Sequence, residues 1–166
     1  HILIATGATP LVPDLPGAEL AVTSNELFGL DALPRRIVIA GAGYIANEFA
    51  GIFNELGVAV TLVTRGDQML RSYDQEIVDR LVGISRAKGI DIRFNFPFGG
   101  ISRAGDGSLL VDGGAAGTIA TDMVLFAIGR VPNSAGLGLE ALGVDMGDDG
   151  TIFVDAHQRT SVAGLY

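Results

Sequence analysis

The run Arg36-Ile37-Val38-Ile39-Ala40-Gly41-Ala42-Gly43-Tyr44-Ile45-Ala46-Asn47-Glu48 decides the fold. Four apolar residues read as a buried strand, the glycines as a sharp turn, and the residues from Tyr44 to Leu56 as a helix closed by Gly57. Gly41 permits the tight turn, Gly43 lets a ligand approach the bare backbone, and Ala46 keeps the helix near the sheet. The pattern repeats outward: a strand at 58–63, a helix at 74–88 with Ser72 or Asp74 as its N-cap, a strand at 91–95 and a strand at 122–128. Between them, residues 96–122 hold short apolar runs at 108–111 and 118–120 separated by glycine pairs, which predicts a small antiparallel meander. The expected fold class is α/β: a Rossmann-like parallel sheet with helices on its faces plus a small antiparallel β-meander. Spacing predicts that Ile45, Phe49, Ile52, Phe53 and Leu56 of the first helix, and Ile77, Leu81 and Ile84 of the second, face the sheet, with Gly51 lying close to it.

The second strand ends in Thr64-Arg65, where an acid would stand in a site built for a free ribose. Arg71 follows six residues later, across a loop containing Gly66, so two guanidinium groups can converge on one phosphate. A charge-assisted hydrogen bond contributes roughly 1.5 to 3 kcal/mol, so even a screened pair gives about a hundredfold preference for a dinucleotide with a 2′-phosphate. The ligand predicted is therefore NADPH. Tyr44 and Glu48 lie four apart on one helix face near its N-terminus, where a ring can cover a nicotinamide and a carboxylate can accept from its carboxamide.

Net charge bears on what else the chain can bind. At −8, it repels nucleic acid and anionic membrane, so an anionic ligand has to be held by a local basic cluster. No apolar stretch is long enough to cross a bilayer, and the expected location is cytoplasmic. With no cysteine, these residues form no disulfide or thiolate site, and His157 has no neighbouring nucleophile or metal ligand. Asp148-Asp149 before Gly150 reads as turn chemistry, so no catalytic and no metal residue is expected.

The ends of the chain read differently. Residues 11–22 are loop, and Thr23-Ser24-Asn25-Glu26 starts a short helix running toward Leu30. Near the other end, a short helix is expected at 137–142 and a strand at 151–154. The segment Ile2 to Pro10 aligns without gaps on Val124 to Pro132, each a predicted buried strand leading into Gly-x-x-Pro. The second copy closes the unit begun at Arg36, so the first is expected to close an earlier unit. The resulting division is a flank and linker at 1–34, a dinucleotide-binding domain at 35–130 and a return segment at 131–166.

Four ordered stretches carry a family resemblance: 41–48, 64–74, 127–133, and 151–155 with 158–162. Together they resemble the glutathione reductases, within the FAD-dependent pyridine nucleotide-disulfide oxidoreductases. The resemblance implies a homodimeric flavoenzyme in which NADPH reduces FAD, FAD reduces a cysteine pair, and the pair reduces oxidised glutathione. It also implies that Tyr44 covers the nicotinamide pocket and that Glu48 contacts the carboxamide. Arg65 and Arg71 hold the 2′-phosphate beside Thr64, Gly41, Ala42, Gly43 and Ile45 form the phosphate turn, and Gly129 faces the cofactor. Thr6 and Gly7 then belong to the end of an FAD-binding domain, as does much of 134–166.

The FAD glycine motif, the redox cysteines, a Gly-Asp flavin contact and a dimer domain with a catalytic histidine do not occur in these residues. The expectation is thus an NADPH-binding domain with FAD-domain flanks, FAD being held only by the full-length protein, and a fragment that binds the nucleotide without turning over glutathione disulfide. Two other readings stay open. One is the same domain from a reductase of another disulfide or of a metal ion. The other is a stand-alone nucleotide-binding module, which would leave Ile2 to Ala5 as an unpaired apolar strand.

Overall fold

A computed structural model describes residues 1–166. In chain order its elements are β1 (Ala8–Pro10), a 3-10 turn (Ala18–Leu20), α1 (Ser24–Leu27), β2 (Arg36–Ala40), α2 (Tyr44–Glu55), β3 (Ala59–Val63), α3 (Gln75–Ala87) and β4 (Asp91–Arg93). Then come β5 (Gly100–Arg103), β6 (Leu109–Asp112), β7 (Thr118–Thr121), β8 (Met123–Phe126), β9 (Arg130–Pro132) and a last 3-10 turn (Glu140–Leu142). The chain divides into two compact units, Pro10–Gly129 and His1–Thr9 with Arg130–Tyr166.

In the larger unit, β4-β3-β2-β8 form a parallel sheet, with Ile37 paired to Val60 on one side and to Met123 on the other. Its central strands are apolar on both faces because both faces are covered. Ile37, Ile39, Leu62 and Leu125 pack with Ala46, Ala50 and Phe53 of α2 and Val78 of α3, while Val38, Ala40, Val124 and Phe126 pack with Ile101, Val111 and Ile119 of the meander. Strands β5, β6 and β7 are that meander, antiparallel throughout, as expected for 96–122.

The helix faces match the expected ones only in part: Phe53 is buried and Phe49 packs against the same core. In α2 the buried residues are Ala46, Ala50 and Phe53, whereas Ile52 and Leu56 are 51% and 57% exposed. In α3 only Val78 is buried, and Ile77 is 68% exposed. Small side chains let α2 settle against the strands, so the stripe of alanines takes the contact and the larger residues one position away are left outside. Gly51 is not the point of close approach, since a Cβ there would meet nothing within 4 Å. The cap of α3 is Asp74, whose carboxylate accepts from the N–H groups of Glu76 and Ile77 at 3.0 and 3.3 Å. Thr23 and Glu26 form a capping box at α1, which ends at Leu27, short of Leu30.

The smaller unit has its own cluster, Leu139, Val144 and Leu165. Here the expected strand at 151–154 is a correction: Ile152 makes a single antiparallel bridge to Met146, and Phe153 and Val154 are exposed. The helix expected at 137–142 shrinks to one 3-10 turn, ended by Gly143 in the left-handed conformation. The buried strand expected at Ile2 to Ala5 is likewise one bridge, Ile2 to Leu165, with Ile2 and Leu3 exposed. Isolated bridges lack the run of cross-strand pairs that makes a ladder cooperative. The repeat is still visible in the pairing of β1 with β9, the corresponding ends of its two copies. No helix is long and apolar enough to cross a membrane.

Candidate nucleotide site

The carboxyl ends of β2, β3 and β8 open into a cleft of about 1000 Å³ within the larger unit. Ala40, Val63 and Phe126 form its floor, and the turns that follow the strands form its walls. This is the place where open parallel sheets hold ligands, because successive connections leave in opposite directions there.

Gly41 cannot be replaced without moving the sheet. Its φ is +154°, and a Cβ would overlap the carbonyl oxygen of Ala127 and lie 3.1 Å from the Ala46 methyl. Gly43 is the opposite case, with nothing within 4 Å of where a Cβ would stand, so its side of the turn is open to a ligand. Gly43 is also the N-cap of α2, and no side chain caps that end. The first N–H groups of α2 therefore remain available to an anion, whereas those of α3 are occupied by Asp74.

Thr64, at the end of β3, is buried and accepts from the Gly66 N–H through Oγ1 at 3.4 Å. Arg65 and Arg71 both line the cleft. The ion pairs of the structure are Arg36–Asp122, Lys88–Glu55 and Arg93–Asp91, so neither cleft arginine is neutralised by a carboxylate. Only Asp14 adds a negative charge to the lining, leaving a local positive excess on a chain of charge −8. The guanidinium of Arg71 lies across Gly66, with its Cζ 3.3 Å from where a Cβ would be.

One bond ties the two halves of the site together. The N–H of Leu70 donates to the carbonyl of Ala42 at 2.9 Å, and Leu70 is left-handed with φ +50°. The arginine loop is thus fastened to the glycine turn by main chain, and Met69, 1% exposed, anchors it from below. Nothing local in the sequence points to this bond. Leu11, Pro13, Leu15, Phe96 and Phe98 also line the cleft and were not expected to. The apolar residues scattered through the Pro-rich stretch at 11–15 are the only signal of a wall there.

Of the remaining expected residues, Ala42 and Tyr44 line the cleft, the latter exposed at the head of α2. Glu48 does not; with Tyr44 it borders a shallow groove on the outer side of α2. Ile45 is half-buried and outside the lining. Gly129, at φ +145°, accepts from the Leu11 N–H at 2.9 Å and lies just beyond the lining residues. Thr6 and Gly7 belong to the smaller unit, where their carbonyls accept from the side chain and main chain of Asn133 at 3.0 and 2.9 Å. There Asp149 accepts from the Thr151 N–H at 3.0 Å, and this main-chain bond holds its carboxyl below the usual range. No group of three or more His, Cys, Asp or Glu side chains is placed to hold a metal ion.

Known proteins resemble this chain in sequence and in fold. The chain is 44% identical over 165 residues to glutathione reductase of Burkholderia cepacia, covering 99% of this chain and 36% of that protein. It is 41% identical to trypanothione reductase of Trypanosoma congolense, covering all of this chain and 34% of that one. It therefore spans about a third of the length of these relatives. Among solved structures, the HOCl-induced flavoprotein disulfide reductase RclA of Escherichia coli superimposes with a TM-score of 0.90 at 32% identity, covering 99% of this chain and 38% of that one. An engineered water-forming NADPH oxidase bound to NADPH matches with a TM-score of 0.84 at 26% identity, covering 99% of this chain and 37% of that one. Its substitutions include an aspartate changed to alanine, an arginine introduced at the next position and a second arginine six positions after the first. All residues from 1 to 166 match the pyridine nucleotide-disulphide oxidoreductase family, and the chain belongs to it.

Proposed function

We propose that the cleft binds NADPH, and that this chain is the nucleotide-binding part of a flavoprotein disulfide reductase similar to glutathione reductase. The observation that carries the cofactor choice is the unneutralised pair Arg65 and Arg71, six residues apart behind Thr64. The spacing is the one engineered into the NADPH-bound oxidase, where an acid was removed just before the first arginine. An acid at that place hydrogen-bonds a free ribose and repels a phosphate, whereas two guanidinium groups hold the phosphate by charge-assisted bonds.

In this reading the N–H groups at the head of α2 take the pyrophosphate, over the open side of Gly43. Arg65 and Arg71 take the 2′-phosphate. Tyr44 lies over the nicotinamide end, with Glu48 on the same helix face, and Gly129 borders the cofactor's path. When bound, NADPH would supply a hydride for a flavin. This chain's share is to hold and orient the donor. A cytoplasmic homodimer reducing glutathione disulfide is the whole-protein counterpart of this reading.

Calorimetric titration with NADPH and NADH tests it. The expected result is a strong NADPH preference that falls by about a hundredfold in the Arg65→Ala/Arg71→Ala double variant, with NADH binding little changed. Equal affinities in the parent protein would overturn the assignment.

A further inference from the structure

We propose that Leu70 is a positioning residue for nucleotide discrimination, acting through its main chain: its N–H, bonded to the Ala42 carbonyl, and its left-handed turn together aim Arg71 into the cleft. The proposal rests on the NADPH reading and deepens it, because it concerns how one of the two phosphate-binding groups is placed.

The left-handed residues of the larger unit are not scattered. Among its non-glycine residues only Leu70, at φ +50°, and Asn95, at φ +52°, take that conformation, and each donates a main-chain N–H that fastens the arginine loop. Asn95 donates to the Gly66 carbonyl at 2.9 Å, just after Arg65, and Leu70 donates to the Ala42 carbonyl at 2.9 Å, just before Arg71. Asparagine visits this region readily, whereas leucine is held there at an energetic cost and stays only where surrounding contacts fix it.

Two features of residue 70 divide the task. The bond to Ala42 fixes the peptide plane that precedes Leu70, and the left-handed turn sets the direction in which the chain leaves it. Arg71 follows as the first central residue of a tight turn, closed by the Tyr73 N–H on the Leu70 carbonyl at 2.9 Å. The root of the arginine is therefore fixed, while its tip is free to adjust to a phosphate. Met69, buried beneath the loop, holds it by non-directional contact and supplies no such aim. Releasing the bond would leave Arg71 to be ordered at the moment of binding, a cost that falls on the 2′-phosphate. The glycine turn keeps its own anchor, the Gly41 N–H on the Val63 carbonyl at 3.0 Å, so the rest of the dinucleotide is spared.

The test replaces the Leu70 amide by an ester, which deletes the N–H and leaves the side chain unchanged. The ester protein, the parent, Leu70→Asn, Arg71→Ala and the ester in the Arg71→Ala background are titrated calorimetrically with NADPH and NADH. The ester is expected to weaken NADPH about fivefold and leave NADH almost unchanged, lowering the ratio between them. Leu70→Asn, which keeps the N–H and accepts the left-handed turn, should retain the parent ratio while lowering Tm, because the leucine side chain packs against the core. Without Arg71 the ester should have no further effect. The proposal is overturned if the ester leaves the ratio unchanged, weakens both nucleotides alike, or still acts without Arg71. It is equally overturned if Leu70→Asn lowers the ratio as far as the ester does, since the apolar side chain would then be what places the arginine. An Arg71→Ala protein with an unchanged ratio would instead remove the 2′-phosphate reading itself; the two failures are thereby told apart.

Discussion

The two ends of the parallel sheet are built by opposite rules. At the amino end, where β2 and β8 begin, charge is neutralised: Asp122 takes the Arg36 N–H at 2.9 Å and its guanidinium at 2.7 Å, while the Thr121 hydroxyl donates to the Arg36 carbonyl at 3.0 Å. At the carboxyl end the arginines have no carboxylate and the helix has no cap. Paired groups stabilise a fold, whereas cleft cations and helix N–H groups that only water satisfies can exchange that water for an anion. Five residues of β2, about 16 Å, separate the two ends, which exceeds the screening length at physiological salt. Each end should therefore respond to substitution independently of the other.

The comparison breaks most completely at Gly41, where the open end is also structural. Gly41→Ala forces a side chain against the Ala127 carbonyl and is expected to cost about 3 kcal/mol of stability, seen as a lower midpoint in urea, together with loss of NADPH binding. Normal stability in this variant would show that the turn can relax.

At the closed end, Asp122→Asn should lower Tm by about 2 to 4 °C near neutral pH and leave NADPH affinity unchanged. The hydrogen bond from the Arg36 side chain, with further help from that residue's N–H and charge, holds the Asp122 carboxyl below its ordinary range. A depressed carboxyl stabilises the fold above its unfolded value and loses that contribution as pH falls through the folded one. The difference in Tm between parent and variant should accordingly be full at about pH 6 and vanish in strong acid; a gap that widens in acid would contradict the assignment.

The smallest effect sharpens the contrast by making the open end more positive. Asp14→Asn removes the cleft's only carboxylate and should tighten NADPH about two- to threefold, more than NADH, at low salt. Added salt should erase the difference.

What could be read in the sequence, and what could not, follows the same geography. That the glycine turn and the two arginines line one cleft was legible because each set lies within a few positions of a strand end. The far wall of the cleft was not, since Leu11, Pro13 and Leu15 reach it from a stretch without periodicity, and Phe98 reaches it by lying edge-on to Phe126. The buried face of α2 was legible in part: Ala46 and Phe53 are buried as expected, whereas Ile52 and Leu56 are exposed and Ala50, a small residue that lets the helix come near the strands, takes the contact instead. Similarly, the alternation at 151–154 marked a strand that found one bridging residue and no ladder.

The bond from Leu70 to Ala42 joins one peptide unit to another and makes no use of either side chain. Any residue that tolerates the left-handed turn preserves it, proline excepted. The loop from Thr64 to Arg71 is in that sense an exchangeable cassette: its side chains can be rewritten for a different nucleotide while its anchorage to the turn is inherited unchanged.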